Sequence, residues 1–72
     1  MKPLTPRQRR IMRYVADGYT NEQIGGLLHN KAQTIKNNLT AIYTSLEARN
    51  RAHATAIFTR YGGAHVERVE DV

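Results

Sequence analysis

The 72 residues contain no cysteine, so neither a disulfide framework nor a thiolate zinc site is available, and a reducing cytosol is the simpler home. Nothing approaches the ~18 apolar residues of a membrane span, and Met1-Lys2-Pro3-Leu4-Thr5-Pro6 has no apolar signal core. Catalytic groups are as scarce. His29, His53 and His65 stand far apart in sequence with no nearby Cys or Asp partner, so no nucleophile with its base, no carboxylate pair and no metal-ligand set can be drawn. The expectation is a protein that is not an enzyme, with no catalytic residue, no metal and no cofactor. No internal repeat and no low-complexity linker is found.

Acidic residues are also few, and their placement matters more than their number. Residues 1–61 hold ten Lys and Arg against Asp17, Glu22 and Glu47, a net of +7, whereas residues 62–72 hold Arg68 against Glu67, Glu70 and Asp71, a net of −2. A basic body attracts phosphate polymers by counterion release. Many basic surfaces have no such role, so the decision falls to pattern.

One domain is expected over residues 1–61, followed by a polar, loosely ordered tail over 62–72. A chain this short buries only a small core. Thr5-Pro6-Arg7-Gln8 reads as a helix start: Thr5 caps, Pro6 fits the first turn and Gln8 can reach back. Ile11, Met12, Val15 and Ala16 follow at core spacing, with Arg7, Arg9, Arg10 and Arg13 outside, and Gly18 ends the helix near Asp17. Thr20-Asn21-Glu22-Gln23 repeats the same grammar and opens a short second helix with Ile24, Leu27 and Leu28 as its stripe. Gly25 and Gly26 lie inside it at ~1 kcal/mol each against alanine, so packing must hold this helix, and a close approach is one reason for a glycine there.

Asn30, three residues before Gln33, offers the next cap, and a helix is expected over roughly 33–46. Ile35, Leu39, Ile42 and Leu46 fall on one narrow face; Gln33, Asn37, Thr40 and Thr44 fall opposite, with Lys36 on the flank. A merely solvated face is more often filled with Glu and Lys, whereas amides, hydroxyls and one lysine suit base edges and phosphates. Asn50 then caps a fourth helix from Arg51 to about Tyr61, closed by Gly62-Gly63. Ala54, Ile57, Phe58 and Tyr61 are its core side, leaving Ala52, Thr55, Ala56 and Thr59 as small residues that permit close approach of a second helix.

A short helix, a tight turn of about four residues and a helix with a polar outer face meet the needs of a helix-turn-helix. The residues themselves resemble the LuxR/GerE (NarL/FixJ) type of helix-turn-helix domain of bacterial transcription factors, without a gap from Leu4 to about Tyr61. The resemblance is carried by Leu4-Thr5-Pro6-Arg7, by Gly18-Tyr19-Thr20-Asn21-Glu22-Gln23-Ile24, by Thr34-Ile35-Lys36-Asn37 with Leu39 and Ile42-Tyr43, and by Arg49-Asn50-Arg51 with Ala54. The chain departs from the pattern at Arg10, in the His29-Asn30-Lys31-Ala32 turn, at Asn38, and at Glu47-Ala48, where the family carries a glycine and an aliphatic residue.

The resemblance implies an all-α, four-helix domain, here as a free-standing small protein of a bacterial or phage-infected cell, with its third helix in the major groove of double-stranded DNA. It implies base contacts from Lys36, Asn37 and Thr40, joined by Gln33 from the same face, and phosphate contacts from Thr34, Arg49 and Arg51 together with Thr20 and Asn21. Two protomers are expected on an inverted repeat, paired weakly through Ala52, Thr55, Ala56 and Thr59 and more strongly on DNA. RNA polymerase or a larger regulator is the further partner considered. The alternatives are an interaction module that pairs with a larger regulator and modulates it, and a sigma-factor-like domain. The readable third helix and the basic body favour direct DNA contact.

Overall fold

The computed structural model describes residues 3–61, which form four α-helices and, among the described residues, no strand. They are α1 (Pro6–Ala16), α2 (Asn21–Leu28), α3 (Ala32–Leu46) and α4 (Arg51–Arg60). The expected tail over 62–72, the Gly62-Gly63 stop and His65 lie outside the described residues.

Local chemistry explains where most helices start. Thr5 Oγ1 accepts from Gln8 N–H at 3.1 Å while Gln8 Oε1 accepts from Thr5 N–H at 2.9 Å, a reciprocal capping box. Thr20 and Gln23 repeat it at the same distances, and Asn50 Oδ1 accepts from His53 N–H at 2.8 Å. The third helix corrects the sequence reading. Its N-cap is Lys31, with no side-chain cap hydrogen bond, because Asn30 belongs to the end of α2: its N–H donates to Gly25 O at 2.7 Å and its side-chain amide to Leu28 O at 3.4 Å. The connection is therefore three residues, His29 to Lys31, and α3 begins one residue earlier than expected.

Three helices end alike. Gly18 (φ 93°), His29 (φ 58°) and Glu47 (φ 58°) are left-handed, and each following N–H reaches five residues back: Tyr19 to Tyr14 O at 3.0 Å, Asn30 to Gly25 O at 2.7 Å, Ala48 to Tyr43 O at 2.8 Å. This pattern satisfies carbonyls that a helix end leaves open. Gly18 alone of the three takes up the conformation without a Cβ penalty.

α2 packs chiefly on α3, α1 packs on α3 and α4, and α3 also meets α4. Between them lie Leu4, Ile11, Met12 and Val15 from the N-terminal segment, Ile24 from α2, Ile35, Leu39, Ile42 and Leu46 from α3, and Ala54, Ile57 and Phe58 from α4. Full burial of each large side chain contributes about 1.5 to 3 kcal/mol. The α3 stripe is buried in full, as its spacing requires.

Four expectations fail at the edge of this core. Leu27 is 49% exposed: at ~100° per residue the buried arc of α2 runs from Ile24 through Leu28 to Gly25, which leaves Leu27 outside. Ala16 is exposed in the last turn of α1, and Tyr61, 46% exposed, follows the end of α4. Arg9 is buried rather than outside, its guanidinium Nη1 donating to Leu4 O at 2.8 Å. Burying Leu4 takes its carbonyl from water, and the arginine supplies a donor while its stem covers apolar surface. The glycines divide. A Cβ on Gly25 would collide with the Asn30 carbonyl oxygen, whereas one on Gly26 would meet nothing within 4 Å. The close approach inferred from a glycine exists at Gly25, against the backbone of the turn rather than a second helix.

Candidate nucleic-acid interface

The buried stripe of α3 fixes which residues face outward. Gln33, Lys36, Asn37, Thr40, Ala41 and Thr44 are exposed along one side, while Thr34 and Asn38 are half-buried at its border. Gln33 Nε2 donates to Asn37 Oδ1 at 3.0 Å. Thr40 Oγ1 donates to Lys36 O at 3.2 Å and Thr44 Oγ1 to Thr40 O at 3.1 Å, so each hydroxyl spends its proton on the helix and turns its methyl and remaining lone pairs outward. Asn38 Nδ2 donates to Thr34 O at 2.6 Å, which binds that amide to the backbone. The face is polar, shallow and backed by a packed core, and its one cation is Lys36.

A second group forms where α4 begins. Arg51, half-buried, donates from Nη1 to Asn21 Oδ1 at 2.7 Å and from Nη2 to Tyr19 O. These contacts span some thirty residues of sequence and tie the start of α4 to the start of α2. Thr20, beside Asn21, has its hydroxyl oxygen engaged as the α2 cap. Three of the expected phosphate contacts, Thr20, Asn21 and Arg51, are thus brought together. Arg49 stands exposed in the preceding turn, where its backbone N–H donates to His53 Nδ1 at 3.0 Å. His53 is half-buried in the first turn of α4. Its position three residues after a capping asparagine was the available signal; the Arg51–Asn21 contact has no local signature.

On α4, Ala52, Ala56 and Thr59 are exposed and Thr55 is half-buried. Thr55 Oγ1 donates to Arg51 O at 2.9 Å, and Thr59 Oγ1 to Thr55 O. With those protons used internally the strip presents mainly methyl groups. Arg7, Arg10 and Arg13 are exposed on α1. Among the described residues no group of three His, Cys, Asp or Glu side chains could hold a metal ion, and no helix is long and apolar enough to cross a membrane.

A short α2, a three-residue turn and an α3 with an exposed polar face define a helix-turn-helix domain. Over residues 2–58 the chain matches the model of the GerE family, described as bacterial regulatory proteins of the luxR family. It belongs to that family. It is 39% identical over 54 residues to YhjB of Escherichia coli (strain K12), named as an HTH-type transcriptional regulator, covering 75% of this chain and 27% of that protein. It is 37% identical over 54 residues to the transcriptional regulatory protein ComA of Bacillus subtilis (strain 168), covering 75% of this chain and 25% of ComA. The transcriptional regulatory protein DesR of the same organism is 36% identical over 52 residues, 72% of this chain and 26% of DesR. The chain thus spans about a quarter of the length of these curated relatives. No solved structure matches it significantly.

Proposed function

We propose that the chain is a sequence-specific DNA-binding transcriptional regulator that lays α3 in the major groove, with residues 1–61 as the binding unit. The observation that carries this reading is the outer face of α3. Amides, hydroxyls and one lysine are held in register by a fully buried stripe on the opposite side, so the groups that match base edges stand on a rigid element. Gln33, Lys36, Asn37 and Thr40 are the base contacts. Arg49, the Arg51–Asn21–Thr20 group and Thr34 are the phosphate contacts that set register around them. Family membership and three relatives named as transcriptional regulators support the same reading.

One reading helix spans few base pairs, and a lone half-site gives little discrimination against a genome. Two protomers on an inverted repeat are the remedy, meeting through Ala52, Thr55, Ala56 and Thr59 of α4. So small an apolar strip barely exceeds the entropic cost of association in solution, and DNA raises the effective concentration.

The test is titration of labelled duplexes, selected and scrambled, at several salt concentrations. Asn37→Ala and Thr40→Ala are expected to cut the selected-to-scrambled ratio by about 5- to 10-fold. Arg49→Ala should weaken both duplexes alike and lower the salt slope by ~0.9. Arg49 serves better than Arg51 here, because Arg51 is also bound to Asn21 and Tyr19. Unchanged ratios in both α3 variants overturn α3 as the reader, and a response flat in salt favours the interaction module instead. Thr55→Glu with Ala56→Glu should abolish cooperative filling of two half-sites in sedimentation on an inverted repeat; undiminished cooperativity removes α4 as the pairing surface.

A further inference from the structure

Arg51 and Asn21, both half-buried, meet where α4 and α2 begin: Arg51 Nη1 donates to Asn21 Oδ1 at 2.7 Å and Nη2 donates to Tyr19 O. The polarity of this contact is fixed from both sides. A guanidinium carries N–H donors and no acceptor, and a backbone carbonyl only accepts. Were the Asn21 amide to turn over, its N–H groups would face Nη1, donor against donor, and Arg51 has no acceptor to offer in exchange. Asn21 therefore keeps its oxygen toward Arg51 and carries its Nδ2 on the other branch of the amide. That nitrogen has no hydrogen-bond partner among the described residues and stays in contact with solvent. Both of its hydrogens are available to a ligand. The bond from a cation to Oδ1 also polarises the amide and strengthens those donors.

We infer that Arg51 is a positioning residue that serves phosphate binding through Asn21: it holds the Asn21 amide with its donor end outward, so that a neutral side chain aimed by a half-buried cation grips the DNA backbone beside α2. This rests on the reading of the Arg51–Asn21–Thr20 group as a phosphate contact. An asparagine held by nothing presents its oxygen as readily as its nitrogen, and an oxygen turned toward a phosphate offers it no proton. The same contact sets where the donor stands. Arg51 ties Asn21 to the first turn of α4, and α2 is seated at Gly25 against the turn that leads into α3. The Asn21 donor is thereby kept in register with the exposed face of α3. Arg49, which is exposed, acts by charge, whereas Asn21 acts by direction.

The experiment is titration of a selected and a scrambled duplex at several salt concentrations, with thermal unfolding to confirm that each variant is folded. The variants are Asn21→Asp, Gln23→Glu, Asn21→Ala, Arg51→Ala and the double alanine variant. Asn21→Asp keeps the acceptor that Arg51 needs and replaces Nδ2 by a second oxygen, so it should melt at or above the temperature of the parent. Gln23→Glu adds the same charge two residues away, where a glutamate preserves the Thr20 capping box, and so measures what charge alone does. Asn21→Asp is expected to bind both duplexes about tenfold more weakly than Gln23→Glu. Asn21→Ala should weaken both duplexes about tenfold against the parent, with an unchanged salt slope because no cation is removed. The double alanine variant is expected to bind as Arg51→Ala does, since the second change deletes a donor already released. Should Arg51→Ala not fold, the comparison of Asn21→Asp with Gln23→Glu decides alone. Equal affinities for those two would reduce the Arg51–Asn21 contact to a structural brace and overturn the inference, as would losses that multiply in the double variant. If the Asn37→Ala and Arg49→Ala effects hold in the same titrations, the reading of α3 survives that failure. A parent that binds neither duplex fails that reading itself, and the inference with it.

Discussion

The two turns that flank α3 follow one backbone plan and are held by opposite means. Each has a left-handed residue that is not glycine, His29 or Glu47, followed by an N–H bonded five residues back. The α2–α3 turn is held by the absence of a side chain: Gly25 lies directly against the backbone of Asn30 and Lys31, and its carbonyl accepts from both His29 and Asn30. The α3–α4 turn is held by side chains. Asn50 Oδ1 takes the His53 N–H and His53 Nδ1 takes the Arg49 N–H. A backbone-to-backbone contact has no adjustable part, whereas side-chain bonds can lengthen or find water. The angle at which α2 braces α3 is therefore the stiff quantity in this domain, and the placement of α4 the softer one.

The sharpest way to break the contrast is a pair of identical substitutions on neighbouring residues. Gly25→Ala should destabilise by about 2 to 3 kcal/mol, because the new methyl meets backbone that can move only by opening the turn. Gly26→Ala should stabilise by about 0.5 to 1 kcal/mol, since its methyl enters open space and alanine is the better helix former. Urea unfolding followed by circular dichroism measures both. Equal midpoints for the two variants would remove the special standing of the α2–α3 turn.

On the α3–α4 side the expected losses are smaller. Asn50→Ala deletes the α4 cap and should cost about 1 kcal/mol, with faster amide exchange confined to the first turn of α4. His53→Ala removes the acceptor of the Arg49 N–H at a half-buried site and should cost about 0.5 to 1 kcal/mol. A loss in either variant as large as that of Gly25→Ala would make the two turns equally rigid.

Most of the architecture was legible because it is local. The capping boxes at Thr5 and Thr20, the Asn50 cap, the Gly18 stop and the Ile35-Leu39-Ile42-Leu46 stripe depend on residues within one or two turns of each other. What could not be read depends on contacts made only after folding. Leu27 satisfies the period of α2 as well as Leu28 does, and only the close approach at Gly25 swings the buried arc away from it. Arg9 looks like its neighbours Arg7 and Arg10 until the buried carbonyl of Leu4 gives it a partner. Asn30 has the spacing of a cap, but the end of α2 uses it first. In the candidate site the exposed face of α3 followed from its period. The reach of Arg51 to Asn21 and Tyr19 did not, because a separation of some thirty residues leaves no trace in spacing.

The smallest expected effect concerns the feature the two turns share. A Cβ in the left-handed region is strained by roughly 1 to 2 kcal/mol relative to glycine, and glycine returns part of that gain through the greater freedom of its unfolded chain. His29→Gly should stabilise by about 0.5 to 1 kcal/mol, and Glu47→Gly by less, because Glu47 also takes part in an interaction that limits the gain. Glycine is the residue that the left-handed conformation at Glu47 suits best. The two effects should be additive in the double variant, since the turns lie at opposite ends of α3. Neither residue is among the proposed DNA contacts, and affinity for a selected duplex should stay within about twofold of the parent when only ~0.4 kcal/mol separates them. Thermal unfolding gives the first quantity and the duplex titration the second. A Glu47→Gly variant that is less stable than the parent would mean that the glutamate side chain contributes more to this turn than its backbone strain costs, and the α3–α4 connection would then be held by side chains to a greater degree than Asn50 and His53 alone account for.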